Sequence, residues 1–390
     1  MNFKQIISIL FCFSIYSRGL FLNRGLFGFD IDLFAYPFFI FLFFYLIFTR
    51  KFRLRFFLVF FIIELILFFP YFFSQLPING YFKVCLPLLL ILPSVYSYLY
   101  NQNLYYFFKN YIKVSKWVAI IGLIQFALKI VGVSIFSRYT NTVDLHSIVT
   151  EPSHYVVVML PAFVFTYFHY KSFKKDFWII LISLILTFKV TAFLSLFIIY
   201  IIIKRKIRNL IFILPLGYLF YLYIISFDQF SFRLLSILDF YSSSRFKGIL
   251  HGTPLSFLSN LNVAIESANS FLFGGGVGSH PYAYDLYFKK NEWIGIDYQF
   301  GINKNSGHSL TIRLLSEFGY AGLIIFISFF VITFNKLKHN YHLLTILFAV
   351  MAHFIAKSIK LGGYIDFGTP IFLSLLLVII LKKHDLKSDI

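Results

Sequence analysis

The sequence predicts an all-α, polytopic integral membrane protein, and three observations carry that prediction. Hydrophobic residues make up 59% of the 390 residues and charged ones only 13%, too little charge to solvate a soluble surface of this size. Apolar runs close to the ~20 residues that a helix needs to cross a hydrocarbon core recur along nearly the whole chain. Short Lys/Arg clusters separate these runs and mark one side of a membrane under the positive-inside rule. A β-barrel would instead need alternating segments of about ten residues, and these runs are apolar on every side.

Taken in order, the runs predict about twelve helices, near residues 3–17, 33–49, 56–73, 81–100, 117–136, 154–170, 177–188, 190–203, 209–226, 319–334, 341–358 and 369–381. The first, Gln5 to Tyr16, has the length of a signal h-region, but no small-residue cleavage site follows it, so it reads as a retained helix. The basic clusters test the count. Arg50 to Arg55, Lys109/Lys113/Lys116, Lys171 to Lys175, Lys204 to Arg208, Lys336/Lys338 and Lys382/Lys383 all fall on one side only if 177–203 crosses twice, as two short helices meeting near Lys189. Both termini are then cytoplasmic, and residues 137–153, 227–318 and 359–368 lie outside.

The chain so divides into N-terminal helices (1–116), central helices with a Glu-Pro-Ser loop (117–226), a long external loop (227–318) and C-terminal helices with a short tail (319–390). The formal charge of +19 could suggest nucleic acid, but most of the Lys and Arg sit in short clusters between apolar runs, which are topology signals first. Cys12 and Cys85 lie inside apolar runs, which supports neither a disulfide framework nor a thiolate metal site. Of the ionisable residues within runs, Lys129 and Lys357 sit near helix ends and are expected to snorkel, while Glu64 stands alone.

Four stretches offer chemistry. In "HSIVTEPSHYVVVML" the proline pushes Glu151 toward extended backbone and itself suits the first turn of a helix. Glu151 or Ser153 as a simple cap and Glu151 as a chemical group both fit. Arg138, Asp144, His146 and His154 share this short loop, so an acid, bases and a cation are close in sequence. In "NKNSGHSLTIRLLSEFGYAG", Arg313 and Glu317 pair at i,i+4, which leaves His308 pointing elsewhere at a helix start.

"SSSRFKGIL" carries Arg245 and Lys247 on the external side, where cations suit an anionic ligand or are simply solvated. "FLFGGGVGSHPYAYD" supplies Gly274, Gly275, Gly276 and Gly278 for tight turns and close backbone approach, without the Gly-Lys-Ser/Thr ending of a nucleotide-binding loop. No His-Glu-x-x-His and no Cys/His spacing occurs in the sequence, so neither an essential metal nor a cofactor is expected.

The order of these pieces (Arg138, then Glu151-Pro152-Ser153 opening a helix, "SRFKGIL", "LFGGGVGS" and "GHSLTIRLLSEFGYAGLIIF") resembles the O-antigen polymerase and ligase superfamily of bacterial polysaccharide assembly, the Wzy-type polymerase in particular. The resemblance covers roughly residues 117–381. Lys189 stands where many relatives carry a Ser-Arg pair, Ser309 follows His308 in place of Asn, and Arg138 lies further from Glu151 than is common.

The resemblance implies a polytopic, GT-C-like, metal-independent glycosyltransferase of the bacterial inner membrane, with its active site facing outward. It would act on undecaprenyl-diphosphate-linked oligosaccharide among membrane lipids, with a chain-length regulator protein as a partner and no nucleic acid. Arg245, with Arg138 and Arg313 as helpers, would then bind the diphosphate, because guanidinium matches phosphate oxygens and stays charged. His308 would be the base, since an ordinary imidazole titrates near neutrality, and Glu151 would organise an arginine; the reverse assignment also fits. A ligase that transfers glycan to lipid A core, and a flippase for lipid-linked oligosaccharides, are the competing expectations.

Overall fold

The structure is a computed structural model that describes residues 2–23, 31–133, 135, 144–204, 252–288 and 301–381. Arg138, Arg245 and the expected helix at 209–226 lie outside the described residues. Within them the chain is helical almost throughout, and strand pairing is confined to one two-residue antiparallel ladder, Leu22↔Asp32 and Asn23↔Ile31.

Among the described residues five helices are long and apolar enough to cross a membrane: Leu54–Ser74, Asn79–Tyr100, Leu104–Ile130, Leu310–Leu337 and Tyr341–Ile359. Shorter apolar helices, among them Phe3–Phe13, Ala35–Phe48, Pro152–Phe168 and Thr369–Leu381, pack with them. Leu54–Ser74 turns Leu58, Val59, Ile62, Ile63 and Ile66 outward and exposed, as a helix does when its solvent is lipid.

Pro152–Phe168 is the opposite case: Tyr155 to Leu160 are all fully buried, and the helix packs chiefly on Tyr341–Ile359 and on Tyr170–Ile185. A helix apolar on every side belongs in the centre of the bundle. Pro161 inside it has no N–H to give the carbonyl four residues back. The Val157 carbonyl instead faces His353 Nδ1 at 3.2 Å, and the Val158 carbonyl accepts the hydroxyls of Tyr16, at 3.2 Å, and Tyr111. Neighbouring helices thus satisfy the backbone that proline frees in a waterless interior.

Two expectations are corrected. The helix expected at 117–136 runs from Leu104 to Ile130, so Lys109, Lys113 and Lys116 are inside it rather than in a loop. Their i, i+4, i+7 spacing gathers them on one face, and Lys116 pairs with Asp176 at 2.9 Å. At 27 residues the helix is about 40 Å long, enough to carry that basic face beyond the hydrocarbon. Neither Lys129 nor Lys357 snorkels. Lys357 is fully buried and donates to the Gly363 carbonyl and Thr369 Oγ1, because the chain after Ile359 folds back over the helix end. Lys129, also buried, turns to Asp144 at 3.5 Å.

The region expected as the external loop 227–318 includes two helices of its own, Gly252–Ser270 and His280–Tyr287. Leu310–Leu337 begins ahead of the expected 319 and breaks at Gly319, whose φ of 65° and ψ of −168° are not helical. The segment expected to cross twice folds as two helices, Tyr170–Ile185 and Val190–Lys204, separated by Phe188 (φ 48°) and Lys189.

Candidate functional site

The site is built at the end of the bundle where Pro152–Phe168 starts and Tyr341–Ile359 stops. Glu151 is extended (φ −143°, ψ 149°) at the N-cap position with Pro152 in the first turn, as proline dictates for both residues. Its carboxylate makes no capping bond to the helix. Ser153 Oγ donates to Oε2 at 3.4 Å, and His154 Nε2 lies 3.7 Å from the same oxygen. His154 is held from its other nitrogen by Thr150 Oγ1 at 2.9 Å.

Partial burial raises the Glu151 pKa, but the charges of His154, Lys360 and Lys189 and the Ser153 hydrogen bond outweigh it and leave the carboxyl below its ordinary value. Beside it Asp144 takes Lys189 at 3.0 Å and Lys129 at 3.5 Å. Gln125 shapes the approach by accepting the Ser147 N–H at 2.8 Å.

His308 occupies a different wall. It follows Gly307 (φ 65°), and both residues are left-handed, His308 at φ 62°. A bulky residue there is strained and needs its surroundings to hold it. Three contacts do so: Ser256 Oγ lies 2.9 Å from Nδ1, Phe257 meets the ring edge-on at 5.6 Å, and the Leu361 N–H donates to the His308 carbonyl at 2.7 Å. Burial lowers the imidazole to about 3, with Lys360 adding to the effect, so the ring is neutral. The expectation that His308 titrates near neutrality is corrected by its burial among Ser256, Phe257 and Leu361.

Behind it runs a polar chain that the sequence reading passed over. Asn303 Nδ2 donates to Ser256 Oγ at 2.7 Å, Asn260 Nδ2 donates to the Ser256 carbonyl at 2.6 Å, and Asn260 Oδ1 lies 2.9 Å from His280 Nε2. His280 is fully buried and lowered to about 3, chiefly by that burial.

Arg313 and Glu317 pair as their spacing predicts, Nε to Oε1 at 2.7 Å. The guanidinium also lies 4.4 Å from the Tyr364 ring centre and 3.5 Å from the Gly362 carbonyl, while the Tyr364 hydroxyl donates to Glu317 Oε2 at 2.8 Å. Burial, reinforced by the Glu317 charge, pushes the Tyr364 phenol well above its ordinary pKa. The Gly-rich segment closes over this pair: Gly275 and Gly276 N–H groups donate to the Ser316 and Glu317 carbonyls at 3.0 and 2.9 Å. Those carbonyls lie just before the break at Gly319. Gly274, Gly276 and Gly278 have φ of 69°, 95° and 80°, with Glu317, Tyr71 and Gly80 where a Cβ would go.

One turn joins the two walls. In "IKLGGYIDFG", 359–368, Leu361 and Gly362 lie against His308 and Arg313, whereas Phe367 lies on His154 with ring centroids 4.8 Å apart. Asp366 pairs with Arg18 from the N-terminal segment, and Arg18 in turn lies 5.8 Å from the Phe367 ring centre. Lys360, half-buried at the start of the turn, is close enough for its charge to act on Glu151, His154 and His308.

Glu151, His308, Arg313 and the glycines therefore border one region; Lys360, Arg18, Asp366 and His280 belong to it without having been singled out. The usable signal was a ten-residue stretch between apolar runs that holds Lys, Asp and a Gly-Gly pair. The arrangement offers a carboxylate, a neutral imidazole and several cations, which suits an anionic ligand and a proton transfer. In comparison with known proteins, no family model matches the chain and no curated protein matches it.

Proposed function

We propose that the chain is an oligosaccharide repeat-unit polymerase, a metal-independent glycosyltransferase that moves a growing glycan from undecaprenyl diphosphate to a hydroxyl of another lipid-linked repeat unit. The product would be O-antigen, capsule or exopolysaccharide. The observation that supports this is the 360–368 turn, which ties the wall bearing Glu151 to the wall bearing His308 around Lys360. In this reading the chain has about twelve spans in a GT-C-like arrangement in the bacterial inner membrane, both termini are cytoplasmic and the site faces outward.

The acceptor hydroxyl oxygen attacks the anomeric carbon, and the bond from that carbon to the diphosphate oxygen breaks with its electron pair leaving on undecaprenyl diphosphate. The hydroxyl proton passes to His308 Nε2. Asn303 donates to Ser256 Oγ, and in this reading His308 Nδ1–H is the second donor to that oxygen, so that Nε2 carries the lone pair. The resting ring is a weak base, but a diphosphate bound alongside favours imidazolium and raises its basicity when substrate is present. Glu151 stays ionised and orders the surrounding cations. Arg245 and Arg138 would supply further diphosphate contacts, while Arg313, held by Glu317 and Tyr364, acts through the shape of the turn.

The test is extension of a purified lipid-linked repeat unit by the purified protein with no nucleotide sugar or metal added. Wild type should give a ladder, and Glu151→Gln and His308→Ala should each lower it by about a hundredfold or more at normal protein levels. Unchanged long chains in both variants would sink the site assignment. In a deletion strain, a single-repeat product indicates a polymerase and core without any repeat a ligase.

A further inference from the structure

At the end of the bundle away from Glu151, the helices Pro152–Phe168, Tyr170–Ile185 and Val190–Lys204 leave a groove between them. Phe163, Tyr167, Leu181, Leu196 and Tyr200 are among its walls, and it encloses about 420 Å³. Clefts that take small ligands run to about 300–1,000 Å³. Tyr167 stands near the far end of the helix that Glu151 opens, roughly 24 Å along it, so the groove lies apart from the site described above. Its lining is Phe, Val, Leu, Ile and Tyr throughout, which suits a hydrocarbon chain and offers little to a sugar.

The rim of the groove is basic. Phe173 (φ −126°, ψ 30°) breaks the helix, and after it Lys174, Trp178 and Leu181 follow at i, i+4 and i+7, on one face. Leu181 lines the groove, and Lys174 and Trp178 above it are exposed, as are the flanking Lys171 and Lys175. Two contacts set the rotation of this helix: Asp176, on the opposite face, takes Lys116 at 2.9 Å, and Phe177 is buried against Phe163 with ring centroids 5.2 Å apart. Trp178 Nε1 donates to the Tyr170 hydroxyl at 3.1 Å, an amphipathic pair of the kind that sits at the level of lipid headgroups. Lysines beside an apolar run are also what the positive-inside rule demands. That rule accounts for their side of the membrane, but not for Lys174 standing in line with Trp178 and a leucine of the groove.

We propose that this groove is a binding site for an anionic phospholipid of the membrane. An acyl chain lies between Tyr167, Leu181 and Leu196, and the headgroup phosphate meets Lys171, Lys174 and Lys175. The apolar walls select for a chain and the lysines for a negative headgroup, so the two together distinguish this lipid from a neutral one and from a soluble phosphate. The inference is independent of the polymerase reading.

The experiment measures binding to the delipidated full-length protein in detergent. The probes are phosphatidylglycerol, phosphatidylcholine with the same chains, and glycerol 3-phosphate, which has none. Wild type should bind phosphatidylglycerol about tenfold or more tightly than phosphatidylcholine, and glycerol 3-phosphate more weakly than either lipid. The combined Lys171→Gln, Lys174→Gln and Lys175→Gln variant should bring the two lipids within about threefold of each other. Leu196→Trp, which fills the groove, should weaken both lipids about tenfold, and Leu181→Trp serves if that variant fails to fold. Three results would each overturn the proposal: a lysine variant that keeps the phosphatidylglycerol preference, a folded groove variant that binds lipid as wild type does, or glycerol 3-phosphate binding as tightly as phosphatidylglycerol.

Discussion

The Phe367 ring packs at a 46° tilt against His154 with centroids 4.8 Å apart, and His154 Nε2 lies 3.7 Å from the Glu151 carboxylate. A residue of the last inter-helix turn thereby sets the position of the acid at the start of Pro152–Phe168. Phe367→Leu keeps an apolar side chain but loses the ring contact, worth about 1 kcal/mol in comparable aromatic pairs. The expected result is a roughly fivefold slower repeat-unit extension with little change in protein level. An extension rate equal to wild type would show that this ring contact does not position Glu151.

Arg18 and Asp366 fix the same turn from the N-terminal segment, and their side chains are only 16% and 15% exposed. Removing one partner of a mostly buried pair leaves the other charge uncompensated, at about 3–5 kcal/mol. Arg18→Asp and Asp366→Arg should each lower the unfolding temperature and the extension rate. The double reversal should recover about half or more of both, because the pair is restored with its sign exchanged. Losses that simply add in the double variant would mean that the two residues act separately.

Glu151 was legible in the sequence because proline restricts the residue before it and suits the turn after it, two local rules that the backbone obeys. The Arg313–Glu317 pair was legible for the same reason, helical spacing being local. The burial of His308 was not, since Ser256 and Phe257 arrive from another helix and periodicity says nothing about which helices meet. The turn at 359–368 was least legible of all: it is anchored by Arg18, separated from Asp366 by 348 positions. The snorkelling expected of Lys357 failed on the same point, because that turn replaces water above the helix end.

Gly278 offers a sharper test of the Gly-rich segment than its neighbours. Its φ of 80° is strained for any residue with a Cβ, and the added carbon would overlap the backbone of Gly80. Backbone cannot swing aside as a side chain can, so Gly278→Ala should destabilise by about 2–4 kcal/mol. Gly301 has a similar φ of 78° but only Lys304 side-chain atoms at 3.8 Å and beyond. Gly301→Ala should therefore cost about 1 kcal/mol, mostly from the dihedral. Thermal unfolding of the two detergent-solubilised variants checks this, and equal losses would mean that close backbone approach is not what Gly278 provides.

His280 and His308 give stability a definite pH dependence. Burial lowers both to about 3 from an ordinary value of 6.5, so between those values the unfolded chain binds protons that the folded one does not. Stability therefore rises with pH across that window, is fully present above about 6.5, and is lost as pH falls toward 3. Each group contributes up to about 1.4 kcal/mol per pH unit within the window. The unfolding temperature of the purified protein should drop steadily from pH 7 to pH 4, and His280→Asn should flatten that slope. The asparagine amide has no titration there and still offers a donor to Asn260 Oδ1. An unchanged slope in that variant would show that His280 is protonated in the folded protein.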